Sequence, residues 1–320
     1  MKINIFGVGR SGTKAVQLYL SYLSAKKNGK VKTNYEPYYW QDRFLINTNY
    51  EGIFSHLKDS LFLNDLQNFN SQHRRLLLKL INSTGNFDIV NKFIRANGRI
   101  KAINELLQPD YTIIVIRDLY EVLNSLYDKN WDLLGEGLRH PNDWEKLVYE
   151  VKRKDIVPDF NTIINKIKSD LDKNAFYWYV MNLVALENRG ENFFFIDFEN
   201  LNLIDTIADV MSLRSGTESI YNQRFKGNNL HTTYPLQSKL KKKCYLKMGF
   251  NYFLMRSRLF KLGFQFQYKK IGTLNHLNST PKDKASNKID FKKKDNNIKN
   301  NELYDFFNND IKSKLKNKEN

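Results

Sequence analysis

KINIFGVGRSGTK, residues 2–14, decides the fold. Its first five residues alternate apolar and polar side chains and then meet three glycines within six positions, Gly7, Gly9 and Gly12. Beyond the loop, Val16, Leu20 and Leu23 recur at helical spacing, so the unit is a strand, a glycine turn and a helix. Val31, Thr33 and Tyr35 alternate as a second strand that Pro37 stops, and the whole has the length of a βαβ element with a parallel sheet.

Working outward, residues 41–85 read as a mostly helical insertion and 87–93 as a strand. Residues 98–108 follow as a helix ending before Pro109, and TIIVI (112–116) is an apolar run of the kind buried on both faces of a parallel sheet. A helix from Leu119 to Asp128, a second over 174–189 stopping at Gly190, and a strand FFFID (193–197) complete the alternation. The pattern predicts a doubly wound α/β domain over residues 1–238 with a central parallel sheet.

The 320 residues carry a formal net charge of +17, but unevenly. Lys239, Lys241, Lys242, Lys243, Lys247, Arg256, Arg258, Lys261, Lys269 and Lys270 fall in a tract, 239–270, that holds no acid and interleaves Tyr, Phe, Leu and Met. Such a basic amphipathic segment suits an anionic membrane surface or a polyanion, or else packs on the core with a charged outer face. Residues 271–320 are rich in Lys and Asn and are expected to form a polar, disordered tail without a role in folding. One cysteine, Cys244, excludes a disulfide framework and a cysteine zinc cluster. No run approaches the roughly 18 apolar residues of a membrane span, and no signal peptide is evident, so the expected location is cytoplasmic, with peripheral attachment at the inner membrane surface as an option of the basic tract.

Two constellations carry chemistry. In GVGRSGTK (7–14) the glycine loop can aim backbone amides at an anion, aided by the positive end of the following helix. A nucleotide triphosphatase loop needs lysine before the hydroxyl residue, whereas here Lys14 follows Thr13. The dinucleotide pattern GxGxxG also fits Gly7, Gly9 and Gly12, with Glu36 as the acid for a ribose. The second constellation places Arg117 at the carboxyl end of a buried strand and Ser125 eight residues later in a helix, a fork for a phosphate monoester. An ordinary surface ion pair between Arg117 and Asp118 is the plainer alternative.

Arg10-Ser11-Gly12-Thr13 together with Arg117, Asp118 and Ser125 resembles the sulfotransferase superfamily that uses 3′-phosphoadenosine-5′-phosphosulfate, in its bacterial, carbohydrate-directed form. Leu119 stands where the family usually has proline. The stretches 87–100 and 176–201 are similar to the family's lysine-bearing strand and late helix–strand unit, so the likeness spans roughly residues 2–230 in order. It implies a P-loop-like three-layer fold and binding of the donor's 5′-phosphosulfate by Arg10, Ser11, Gly12, Thr13 and Lys14. It further implies that Arg117 and Ser125 hold the 3′-phosphate, with Lys226 and Gly227 closing over it. Arg10 and Lys92 would stabilise charge at the transferring group, and Glu36 would be the general base, with His56 and His140 as substitutes. The acceptor would be a hydroxyl, on a carbohydrate or glycan, and no metal is called for. A P-loop kinase and a non-catalytic protein that binds membrane or nucleic acid through its basic tract are the competing classes.

Overall fold

The computed structural model describes residues 1–28, 31–35, 88–94, 96–127, 133, 143–200, 202–214 and 301–319. Residues 41–85, expected to be a helical insertion, and Glu36, His56, His140, Lys226, Gly227, Cys244 and the tract 239–270 lie outside them. Five parallel strands form one sheet: β1 (Lys2–Phe6), β2 (Val31–Tyr35), β3 (Asp88–Phe93), β4 (Tyr111–Ile116) and β5 (Phe193–Asp197). Their spatial order is β2-β3-β1-β4-β5. Parallel neighbours require crossovers, and among the described residues helices lie in the connections β1–β2, β3–β4 and β4–β5. The described helices are α1 (Thr13–Asn28), α2 (Ile100–Leu107), α3 (Leu119–Tyr127), α4 (Asp143–Lys154), α5 (Phe160–Lys166), α6 (Asp170–Glu187), α7 (Asn202–Val210) and α8 (Glu302–Glu319). Short 3-10 turns precede α2 (Asn97–Arg99) and follow β5 (Phe198–Asn200).

The two-residue period of the strands sorts their side chains between two apolar clusters. Ile3, Ile5, Val90, Ile113, Val115 and Ile196 join α1 and α7 on one face. Phe6, Phe93, Ile114 and Ile116 join α2, α3, α4, α6 and α8 on the other. Register is pinned by a polar chain across the middle of the sheet. Asn91 donates to Asn4 (2.8 Å), Asn4 to Asn104 of α2 (2.9 Å), and Asn104 to Thr112 (2.8 Å). Asn4, Asn91 and Thr112 are buried, so each bond satisfies a group that would otherwise be costly.

α6 opens with a capping box, in which Ser169 accepts from the Asp172 amide and Asp172 accepts from the Ser169 amide. Every residue from Asn174 to Leu186 is buried, a helix covered all round. Its outer cover is α8, and this corrects the expectation of a disordered tail for residues 302–319. Leu303, Tyr304, Phe307, Ile311 and Leu315 enter the core. Phe307 stacks on Tyr179 with ring centroids 4.4 Å apart and also meets Phe176. Three tyrosine–carboxylate bonds clip the helix in place: Tyr304 to Asp172 (2.6 Å), Tyr120 to Asp305 (2.7 Å) and Tyr179 to Asp310 (2.9 Å).

Full burial of one such large side chain is worth about 1.5–3 kcal/mol, so the five on α8 rival the about 5–15 kcal/mol stability of a typical domain. Phe307→Ala should therefore cost about 3–5 kcal/mol in chemical unfolding. Truncation before Glu302 should leave a protein that aggregates or melts early, and a truncated protein with unchanged melting would contradict this packing.

Burial opposes ionisation of Asp172, but the Tyr304 hydroxyl, the Lys168 and Ser169 amides and the Ser169 hydroxyl together hold its carboxyl below the usual range. A folded pKa below the unfolded value contributes stability that is present above the ordinary carboxylate pKa of about 4 and lost as pH falls through the folded one. Unfolding free energy measured by urea should thus decline below about pH 4, and Asp172→Asn should flatten that decline.

Candidate anion site at the carboxyl end of the sheet

Strand β1 lies between β3 and β4, yet its own connection leads through α1 to the far edge, β2. The chain leaves β1 toward one side of the sheet and leaves β4 toward the other. The loops after β1 and β4 therefore diverge at a topological switch point, the place where open α/β sheets form a ligand crevice. The two sequence constellations emerge there, from neighbouring strands.

The glycine loop runs from Gly7 to Gly12. Its first amide donates to the Phe93 carbonyl of β3 (3.2 Å), and the Ser11 amide turns back to Val8 (3.1 Å). Arg10 and Gly12 both adopt positive φ, 73° and 85°. Alternation of left-handed residues curls successive amides toward one point, the backbone form of an anion nest. The first-turn amides of α1 add donors that have no acceptor within the helix. Gly7 is required by close approach, since a Cβ there would stand 2.6 Å from Thr13 and 2.7 Å from the Val115 carbonyl. At Gly12 a Cβ would lie 2.0 Å from the Phe198 ring, besides facing the strain of its φ.

Side chains then draw the loops together. Arg10 forks onto Ser125 of α3 through Nε (2.8 Å) and a terminal nitrogen (2.7 Å). Arg117, at the end of β4, donates to the Arg10 carbonyl (3.1 Å) and pairs with Glu121 (2.8 Å). Its guanidinium also lies 5.1 Å from the centroid of Phe198, which follows β5. Arg10, Arg117 and Ser125 are thus one connected group, although the chain separates Arg10 from the other two by more than a hundred residues. The surface pair between Arg117 and Asp118 that was the plainer alternative does not form: the arginine partner is Glu121, one helical turn on.

Asp118 instead caps α3. One oxygen accepts from the amides of Tyr120 (2.9 Å) and Glu121 (3.3 Å). The other accepts from Asn308 (2.8 Å) and pairs with Lys312 (2.8 Å), both of α8. Burial alone would raise the Asp118 pKa, but Lys312 and Asn308 with the Glu121 amide hold it below the usual range. The paired Lys312 is shifted the other way: burial works against its charge, and Asp118, Glu199 and Asp197 outweigh it.

Ser11 and Thr13 are buried at 0% and 2% exposure, and the Ser11 hydroxyl meets no hydrogen-bond partner among the described residues. Lys14 stands in the first turn of α1. Lys92 is placed on β3 opposite Ile5 of β1, on the α1 side of the sheet, and at 2% exposure is buried, unlike an ordinary solvated lysine at a strand end. Tyr35, immediately before Glu36, ends the edge strand β2 and pairs with Lys92. Since β3 intervenes, that end lies two strand spacings, roughly 10 Å, from β1. The dinucleotide alternative, which sets the ribose acid on the strand beside β1, loses its geometry here.

Phe198, Glu121, Asn308 and Lys312 are the members that sequence reasoning did not single out. A further polar group lies where the 3-10 turn before α2 packs on α6: the amides of Asn97 and Asn182 and the indole of Trp178 are buried without partners among the described residues. Among the described residues, no three His, Cys, Asp or Glu side chains group as metal ligands, and no helix is long and apolar enough to cross a membrane. The chain matches no family model and no curated protein.

Proposed function

We propose that this protein is a sulfotransferase that moves a sulfuryl group from 3′-phosphoadenosine-5′-phosphosulfate to a hydroxyl acceptor, a carbohydrate or glycan, on a P-loop-like three-layer scaffold. The observation that carries the reading is the meeting of Arg10, Ser125 and Arg117 at the switch point, with Arg10 and Ser125 2.7–2.8 Å apart. A donor with phosphates at both ends of one ribose needs two anion sites side by side. The curled loop with the first turn of α1 suits the 5′ end, and Arg117 with Ser125 suits the 3′ end. Ser125 receives Arg10 on its oxygen, and its own hydroxyl hydrogen remains for a phosphate oxygen.

Sulfuryl transfer resembles loose phosphoryl transfer, in which positioning and charge stabilisation dominate. In this reading Arg10, Lys14 and the amides of residues 12–14 neutralise the 5′-phosphate oxygen as the sulfur–oxygen bond to it breaks, while the Ser11 amide stays bonded to Val8. The departing electron pair stays on that oxygen, and Lys92 steadies the sulfuryl group from the β3 side. Glu36 takes the proton of the acceptor hydroxyl as the new oxygen–sulfur bond forms. Lys226 and Gly227 close over the 3′-phosphate. The lysine standing after Thr13 rather than before it disfavours a nucleotide triphosphatase or kinase. We assign the enzyme to the cytoplasm, with residues 239–270 gripping the glycan or an anionic membrane surface.

Arg117→Ala and Ser125→Ala should weaken adenosine 3′,5′-bisphosphate far more than adenosine 5′-phosphate in calorimetry. A charged hydrogen bond is worth about 1.5–3 kcal/mol, so the arginine change should cost about 10–100-fold. Equal losses for the two nucleotides would remove the 3′-phosphate assignment.

Glu36→Gln should keep donor binding while turnover on a glycan acceptor falls by about 100-fold or more, the scale of general-base catalysis. Turnover that barely moves would transfer the role to His56 or His140.

A further inference from the structure

Asn308 and Lys312 stand one helical turn apart on α8, and both end on the same oxygen of Asp118. The Asn308 amide group acts twice, because its oxygen also accepts from the Leu119 amide at 3.0 Å, a buried bond at the first residue of α3. Lys312 reaches further, to within 3.5 Å of Glu199, in the turn that carries Phe198. Helix α8 thus touches the loops that follow both β4 and β5, next to Arg117 in the first and next to Phe198 in the second.

The chemistry of Asp118 makes these contacts matter. A carboxylate directly after the strand-end arginine is the nearest competitor for its guanidinium and a like charge to any incoming phosphate. Four donors occupy Asp118: the amides of Tyr120 and Glu121 on one oxygen, Asn308 and Lys312 on the other. Arg117 is left to Arg10, Glu121 and the ring of Phe198. Lys312 in turn offsets the charges of Asp118 and Glu199, which follow the neighbouring strands β4 and β5.

We propose that α8 is a positioning element of the anion site: through Asn308 and Lys312 it ties Asp118 down and neutralises it, so that Arg117 faces a phosphate ester instead of its own neighbour. The proposal rests on the reading of the switch point as a phosphate-ester site, and it assigns α8 a role in binding beyond its role in the core. Neither Asn308 nor Lys312 touches the ligand; both act through Asp118.

The experiment measures, on the full chain, affinity for adenosine 3′,5′-bisphosphate and for inorganic pyrophosphate, with melting temperature alongside. Lys312→Met keeps the aliphatic stem and should weaken adenosine 3′,5′-bisphosphate by about tenfold, the low end of the loss of one charged hydrogen bond. Lys312→Arg should restore it. Adding Asp118→Asn to Lys312→Met should recover most of the affinity, since asparagine still caps α3 but carries no charge to compete. A purely structural role predicts the opposite pattern, with a lowered melting temperature, unchanged affinity and no recovery in the double variant. Unchanged affinity in Lys312→Met, or a double variant as weak as the single, overturns the proposal. Wild-type protein that binds pyrophosphate but not the nucleotide removes the donor reading and leaves the variants to be judged on pyrophosphate. Wild-type protein that binds neither overturns both.

Discussion

Asn4 is the residue on which the arrangement turns. Buried in the central strand, it accepts from Asn91 on one side and donates toward Asn104 on the other, and Asn104 continues to Thr112. A slip of one residue in any of these strands would exchange its two faces and strand these amides in apolar surroundings. With the register held, β1 and β4 end side by side, and their loops deliver Arg10 and Arg117 to the same place. The geometry of the candidate anion site therefore depends on a polar chain across the middle of the sheet, a few amide contacts in all.

The crevice mixes charges in a particular way. Arg10 and Arg117 bring cations, while Asp118, Glu121 and Glu199 bring acids within one or two contacts of them. Each acid is occupied: Glu121 by Arg117, Asp118 by the α3 amides and α8, Glu199 by Lys312. This ordering keeps the guanidinium groups oriented by fixed partners, which is the preorganisation that anion binding needs. Phe198 contributes the remaining wall, excluding any side chain at Gly12 and lying beneath Arg117.

Much of this was legible in the residue order. The strands β1, β4 and β5 and the loop between β1 and α1 announce themselves because apolar runs covered on both faces leave little ambiguity, and glycines mark where backbones approach. The alliance of Arg10, Arg117 and Ser125 was legible as a resemblance of spacing. The partner of Arg117 was not, because adjacency in the chain drew attention to Asp118 while the helix carried Glu121 to the guanidinium. Helix α8 was hidden by averaging. Leu303, Tyr304, Phe307, Ile311 and Leu315 form one stripe at helical spacing, but Lys and Asn fill the rest and make the segment look too polar to pack. Reading its period instead of its composition would have found it. The burial of Lys92 was not legible either, because its place near a strand end conceals that it lies on the face packed by α1.

Helix α8 also sets an order on the making of the molecule. The sheet closes with β5 at Asp197, whereas the helix that covers Phe176 and Tyr179 begins at Glu302. At synthesis rates of about 5–20 residues per second, the interval between them lasts roughly 5–20 s. During that time a nascent chain would carry an aromatic face without its natural cover and an Asp118 without its lysine. The bonds that Asn308 and Lys312 make to Asp118 form only once α8 has emerged.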